Sequence, residues 1–149
     1  MKEKIVEMDI PSDPAQIQRV EKQTEKLARK LGFSADDLDS LAIAVTEVVA
    51  NAIYHGNKCD PQKKVKIRFT ITTAAFVVSV MDQGRGFCPD ELGNPVAPEN
   101  LLKGSGRGIF IVQALIDRVT FKFHPSGTEV ILIKYRRREG KPKTLANEG

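Results

Sequence analysis

The stretch TEVVANAIYHGN, Thr46 to Asn57, decides how the rest of the chain is read. It starts inside an apolar helical repeat, yet it spaces Glu47, Asn51 and His55 four residues apart. Leu38, Leu41, Ala42, Val45, Val48, Val49, Ala52 and Ile53 fall at helical offsets and form one unbroken stripe. Ser34 with Asp37 three residues later is a capping-box-like start for this helix, and Gly56 ends it. At about 100° per residue, Glu47 lies roughly 160° from the centre of the stripe and Asn51 about 120°. Both are predicted to face away from the sheet, one turn apart, with His55 one turn further on. The rest of that face is Ser40, Ala44 and Thr46. A solvated polar stripe would fit these residues. So would a site, because small neighbours leave room beside a carboxylate able to act as a base and an amide oxygen able to ligate Mg²⁺.

Outward from this helix, KIVEMDI alternates imperfectly, with apolar Ile5, Met8 and Ile10, and reads as a short first strand. Pro11 and Pro14 flank a turn in which Ser12 or Asp13 can cap the next helix. Ile17, Val20, Leu27 and Leu31 give that helix a modest stripe, ended by Gly32. After the central helix, KVKIRFTIT and AFVVSVMD are two β-rich runs separated by Thr73-Ala74, which predicts an antiparallel hairpin. Residues 83–108 are rich in Gly, Pro and Asn, with a short helical turn at Pro98 to Leu102. RGIFIVQALID then reads as a helix, and VTFKFH and TEVILIKY as two strands around the turn PSGT. The order β-α-α-β-β-loop-α-β-β predicts a two-layer α/β sandwich, a mostly antiparallel sheet with its helices on one face.

Bulk properties agree with one domain. The chain has 149 residues, 41% hydrophobic and 28% charged, enough for a single sizeable core. The apolar runs, Ile109 to Val112 among them, are too short to span a bilayer, and the mixed-charge start MKEKIVEMDI is no signal peptide. A cytoplasmic location without membrane contact is expected. Cys59 and Cys88 lack metal-ligand spacing and read as ordinary thiols. The net charge of +4 is concentrated at one end: residues 134–149 hold six Lys/Arg against two Asp/Glu, leaving 17 of each sign before them. That pattern predicts a basic, polar tail over 139–149 behind a domain of 1–138, and gives no support to nucleic-acid binding.

Three further motifs carry chemistry. In MDQGRGF an apolar strand delivers Asp82 into a turn with Gly84 and Gly86. In KGSGRGIF, Gly104, Gly106 and Gly108 precede a helix, with Ser105 between them and Lys103 and Arg107 adding charge. Free N–H groups at such a helix start can cradle an anion, although neither a Rossmann fingerprint nor a P-loop is present. In SGTEV, Gly127 and Thr128 open the last strand. Singly, each is also what a hairpin end, a hinge or a β-turn requires.

Together, ExxxN on a helix, DxGxG after a strand, GxGxG before a helix and GT on a strand resemble the GHKL (Bergerat-fold) ATPases over roughly residues 5–135. Within that superfamily the chain is most similar to the small bacterial anti-sigma-factor serine kinases. No histidine-bearing dimerisation helix pair is expected, Glu47 stands where sensor histidine kinases usually have Asn, and IFIVQALIDRV directly follows the glycine box.

The resemblance implies a set of roles. Asp82 would accept a hydrogen bond from the adenine amino group, supported by Thr128, with Gly84 and Gly86 letting the backbone approach the base. Asn51 would hold Mg²⁺ against the phosphates of ATP. Gly104, Ser105, Gly106 and Gly108 would wrap the phosphates as part of a mobile lid over about 88–108. Glu47 would orient or deprotonate the attacking hydroxyl. His55 would lie near the phosphates or cap the helix. Some of these kinases carry an Arg just before the lid's Ser-Gly-x-Gly; here Gly104 stands there, and Lys103 and Arg107 are the candidates for its charge. The activity implied is Mg·ATP-dependent phosphorylation of a STAS-type antagonist protein on Ser or Thr, with sequestration of a sigma factor, in a homodimer. A non-catalytic, nucleotide-gated binding module and a simple ATPase are the alternatives.

Overall fold

A computed structural model describes residues 3–84 and 106–136 of the chain. Among them, the elements are β1 (Lys4–Pro11), α1 (Ile17–Arg29), α2 (Ala35–Asn51), β2 (Lys64–Ile71), β3 (Ala75–Met81), α3 (Gly106–Leu115), β4 (Arg118–His124) and β5 (Gly127–Tyr135). The predicted order holds. Gly86, Cys88, Lys103, Gly104, Ser105, the helical turn at 98–102, most of the predicted lid and the tail 139–149 lie outside the described residues.

The strands form one antiparallel sheet in the order β1-β2-β3-β5-β4. The β2–β3 hairpin closes where Thr72 Oγ1 accepts from the amides of Ala74 and Ala75 at 3.1 and 3.0 Å. The β4–β5 hairpin pairs His124 with Gly127 across Pro125-Ser126. Alternation sets which face is buried: Val65, Ile67, Phe69 and Ile71 on β2 and Phe76, Val78 and Val80 on β3 enter the core. On β1 the inward set is Val6, Met8 and Ile10, paired with Phe69, Ile67 and Val65. Ile5, read from sequence as part of the apolar set, is 53% exposed on the opposite face. Period two decides this: Ile5 is out of step with Met8 and Ile10, and Val6 is in step.

The helices cover the inner face. Ser34 Oγ accepts from the Asp37 amide at 3.1 Å, the expected N-cap of α2. Asp13 caps a short 3₁₀ turn, Pro14–Gln16, before α1, while Ser12 turns inward. Helix α2 packs against α1 and also against α3, and so occupies the middle of the layer. Val45, Val49 and Ile53 are fully buried there, and Phe69 and Phe76 of the sheet pack with their rings tilted at 31° and 6.0 Å between centroids. Among the described residues, no helix is long and apolar enough to cross a membrane.

Lys134, counted from sequence with the basic end, belongs to the interior. It continues the inward parity of Val130 and Leu132 on β5 and is fully buried. Its Nζ lies 3.4 Å from Asp37 Oδ1 at the start of α2, 3.9 Å from Asp117 Oδ1 and 3.4 Å from the Leu115 carbonyl at the end of α3. The last contact places a cation at a helix C-terminus, where the exposed carbonyls favour it.

Candidate functional site

The opposite end of α2 carries the predicted polar residues. Glu47 is half-buried, and Asn51, the last residue of the helix, is only 4% exposed. The sequence reading turns Asn51 away from the sheet and leaves open a solvated stripe or a site; the structure buries it. Helix α3 covers α2 on the side that a sheet-only picture leaves bare, and Ala44, on the same small-residue face, is fully buried too. The Asn51 Nδ2 donates to the Glu47 carbonyl at 3.0 Å. Its Oδ1 is buried with no partner among the described residues. Thr46 Oγ1, on the preceding turn, has the same standing; an unpaired buried acceptor costs roughly 1–3 kcal/mol, so such atoms are expected to be met by water, an ion or a ligand.

Beyond Asn51 the chain widens into a π-helical turn, Ala52–Gly56. The Asn57 amide donates to the Ala52 carbonyl at 2.8 Å, and Lys58 and Cys59 follow in left-handed conformation with φ of 52° and 57°. Such single-turn widenings are often found at functional sites, and this one delivers Gly56 onto the exit of β3. A side chain at Gly56 would collide with the Asp82 carboxylate. One at Gly84 would strike the Gly56 carbonyl, and one at Gly127 would strike the Asp82 carbonyl, with Gly127 at φ +156°. His55 is exposed on the π turn.

Asp82 is therefore enclosed by backbone and is only 8% exposed. Its Oδ1 accepts from the amides of Gly84 and Thr128, each at 3.0 Å, and its own amide donates to the Thr128 carbonyl at 3.0 Å. Thr128 thus supports Asp82 through its main chain. Burial raises the Asp82 pKa above the ordinary value, and the two amides and the charge of Lys63 act in the other direction. With Oδ1 engaged, Oδ2 is the atom nearest Gly56 and has no hydrogen bond among the described residues. This is a directional acceptor in a place of low dielectric, suited to a donor on a planar ligand.

Of the residues the sequence reading singles out, the structure describes Asp82 hydrogen-bonded to the amides of Gly84 and Thr128, and Asn51 hydrogen-bonded to the Glu47 carbonyl on α2. Gly106, Arg107 and Gly108 form the first turn of α3, so helix rather than loop begins at Gly106. Gly56, Asn57 and Gln83 do not stand out as site residues in the sequence; a glycine directly after the polar helix was the available sign. An open cleft of about 410 Å³ beside Asp82 is lined by Asp9, Lys64, Lys66, Met81, Gln83 and Ser126. Glu47 and Asn51 do not line it, so that volume does not define the site. Among the described residues, no group of His, Cys, Asp or Glu could hold a metal by itself. Asn51 Oδ1 fits a hard cation that takes its other ligands from phosphate and water, the habit of Mg²⁺.

A family model for the histidine kinase-like ATPase domain matches residues 10–134. The serine-protein kinase RsbW of Bacillus licheniformis is 32% identical over 141 residues, covering 90% of this chain and 87% of that protein. The serine-protein kinase RsbW of Bacillus subtilis is 29% identical over 136 residues, with 87% and 84% covered. Among solved structures, the RsbU and RsbW domains of Rv1364c from Mycobacterium tuberculosis share the fold with a TM-score of 0.66 at 17% identity, over 91% of this chain. This chain spans 33% of that longer one. A histidine kinase domain from Erythrobacter litoralis has a TM-score of 0.51 at 20% identity, covering 84% of this chain and 65% of that one.

Proposed function

The chain belongs to the histidine kinase-like ATPase domain family, and with it to the serine-protein kinases of the RsbW type, and from that premise we propose that it is a Mg·ATP-dependent serine/threonine-protein kinase. Its substrate is a STAS-type antagonist protein, and it works as an anti-sigma, partner-switching factor in a cytoplasmic homodimer. The observation that carries this reading is the buried, unpartnered Asn51 Oδ1, one turn after Glu47 and joined by the π turn to the enclosed carboxylate of Asp82.

Phosphoryl transfer is mostly alignment and charge neutralisation, and the residues divide along those lines. Asp82 accepts the exocyclic amino group of adenine. Asn51 Oδ1 holds Mg²⁺, which when bound neutralises charge on the phosphates. The amides of the first turn of α3, from Gly106 to Gly108, are unsatisfied within the helix and face the anion. Lys103 and Arg107 are the proposed cations, and Gly86, Gly104 and Ser105 complete the cradle. His55, exposed on the π turn, would lie near the phosphates or cap the helix end. Glu47 takes the proton of the substrate hydroxyl as its oxygen attacks the γ-phosphorus and the bond to the bridging oxygen breaks, leaving ADP. A phosphate then adds a charge of about −2 to the antagonist, which releases it from a desolvated interface and frees this chain to capture a sigma factor.

Partners captured from lysate on the immobilised protein, given Mg·ATP, test the scheme. A Ser or Thr phosphate on a small captured protein is expected with wild type. It should fall at least about 100-fold in Glu47→Ala, while ATP affinity stays within about twofold. ATP binding without any phosphate on a captured protein would overturn the kinase reading and leave a nucleotide-gated binding module. Steady phosphate release without a partner would favour a simple ATPase.

A further inference from the structure

The residue after the π turn takes no part in the reaction above, yet it is among the most completely bonded side chains in the molecule. Asn57 is 1% exposed. Its Nδ2 donates to Ser12 Oγ at 2.8 Å and to the Lys64 carbonyl at 3.0 Å, and its Oδ1 accepts from the Gln83 amide at 2.7 Å. Ser12 Oγ in turn donates to the Lys63 carbonyl at 2.6 Å, and the Lys64 amide donates to Gln83 Oε1 at 2.5 Å. One side chain thus fastens together the link after β1, the π turn, the start of β2 and the exit of β3.

The bond to Gln83 matters because of its neighbours. Asp82, Gln83 and Gly84 are consecutive, and each amide in the run is fixed: Asp82 to the Thr128 carbonyl, Gln83 to Asn57 Oδ1, Gly84 to Asp82 Oδ1. Beyond Met81 this segment has left the strand. Without Asn57, the middle of the run would be tied only through the exposed Gln83 side chain. The direction of Asp82 Oδ2 follows from the peptide planes on either side of it.

We propose that Asn57 is a positioning residue that sets base selectivity, holding the Asp82–Gly84 turn so that the carboxylate accepts from an amino group at C6 of a purine and rejects the oxo group of guanine. This rests on Asp82 being the base acceptor of the proposed nucleotide site. A fixed acceptor discriminates because a base lacking the donor leaves it desolvated and unpaired; a loose acceptor turns away and loses that power.

Calorimetric titration of ATP and GTP into the full chain and its variants reads this as a ratio of affinities. In Asn57→Ala the preference for ATP falls about tenfold, chiefly by weaker ATP binding. Ser12→Ala removes a partner on the other side of the same amide without touching Gln83, so it lowers the melting temperature and leaves the ratio at the wild-type value. Should Asn57→Ala not fold, Gln83→Pro removes the same hydrogen bond from its donor end at an exposed residue, with Gln83→Ala as its control. A wild-type ratio in whichever of Asn57→Ala and Gln83→Pro folds overturns the proposal, as does an equal loss in Ser12→Ala. Absence of any ATP preference in the wild type overturns the nucleotide-site reading itself, and the proposal with it.

Discussion

The two ends of α2 both lie against β5, and they treat their buried polar groups differently. At the start of the helix, Asp37 meets the buried Lys134 of β5, which also faces Asp117 just beyond α3. At its finish, the π turn that follows Asn51 meets the exit of β3 and packs against β5. At the first end, opposite charges answer one another, and Asp117 Oδ2 also takes the Tyr135 amide at 2.8 Å. At the second, Asn51 Oδ1 and Asp82 Oδ2 are held in place and left without partners among the described residues. Buried polarity that closes on itself locates strands and helices relative to one another; buried polarity left open is held for something else.

Breaking the open end should cost function far more than stability. Asn51→Ala removes an acceptor that has no partner among the described residues and a donor whose bond is worth only about 1 kcal/mol. Its melting temperature should stay within a few degrees of wild type, while Mg·ATP-dependent phosphoryl transfer falls about 100- to 1,000-fold. The sharper measurement is ATP affinity with Mg²⁺ and with chelator: the wild type distinguishes the two conditions and Asn51→Ala does not. A variant that loses stability and keeps its Mg²⁺ dependence would remove the contrast between the ends.

Breaking the closed end should do the reverse. Lys134→Met removes the buried cation that faces both Asp37 and the half-buried Asp117, and loss of one member of such a cluster typically costs about 3 kcal/mol. Urea unfolding should show that loss, and Lys134→Met with Asp117→Asn should recover part of it because one carboxylate facing the missing cation no longer carries charge. ATP affinity per folded molecule should be unchanged in both. A matching loss of affinity would mean that α2 transmits the state of one end to the other.

What the sequence displays depends on the range of the forces involved. The stripe of α2, the Ser34 cap, both hairpins and the Asp82-x-Gly84 turn are local patterns, and each is legible in a short run of neighbouring residues. The burial of Asn51 cannot be read from its own run of residues, because α3, which packs on α2, lies more than fifty residues away in the chain. The π turn is invisible to it because periodicity assumes the i→i−4 spacing that this segment abandons. Lys134 keeps the parity of Val130 and Leu132, but its charge suggests the tail. Asn57 carries no signal, since an Asn after a Gly at a helix end is ordinary, and its partners Ser12 and Gln83 are far from it in sequence. The approach of Gly56 to the Asp82 carboxylate is likewise a product of tertiary contact.

The smallest effect concerns the open end in the absence of any ligand. Burial raises the Asp82 pKa in the folded chain above its ordinary value of 3.8. The folded state then keeps this proton at a pH where the unfolded chain has released it. Asp82 therefore withdraws stability as pH rises from the ordinary carboxylate range through the raised folded value, and no further above it. Asp82→Asn lacks that decline. Plotted against pH from about 3 to 7, the urea midpoint of the variant should gain on the wild type over this window and then run parallel to it. Glu7 moves oppositely, its pKa lowered by the hydrogen bond and charge of Arg68, but it is present in both proteins and cancels in the difference. The same window should govern ATP binding with inverted sign: wild type weakens as acid protonates Asp82, beginning at higher pH than an ordinary aspartate would. A difference curve that is flat, or that falls as pH rises, would show that the two amides on Oδ1 outweigh burial, and that the open end of α2 is no less at ease than the closed one.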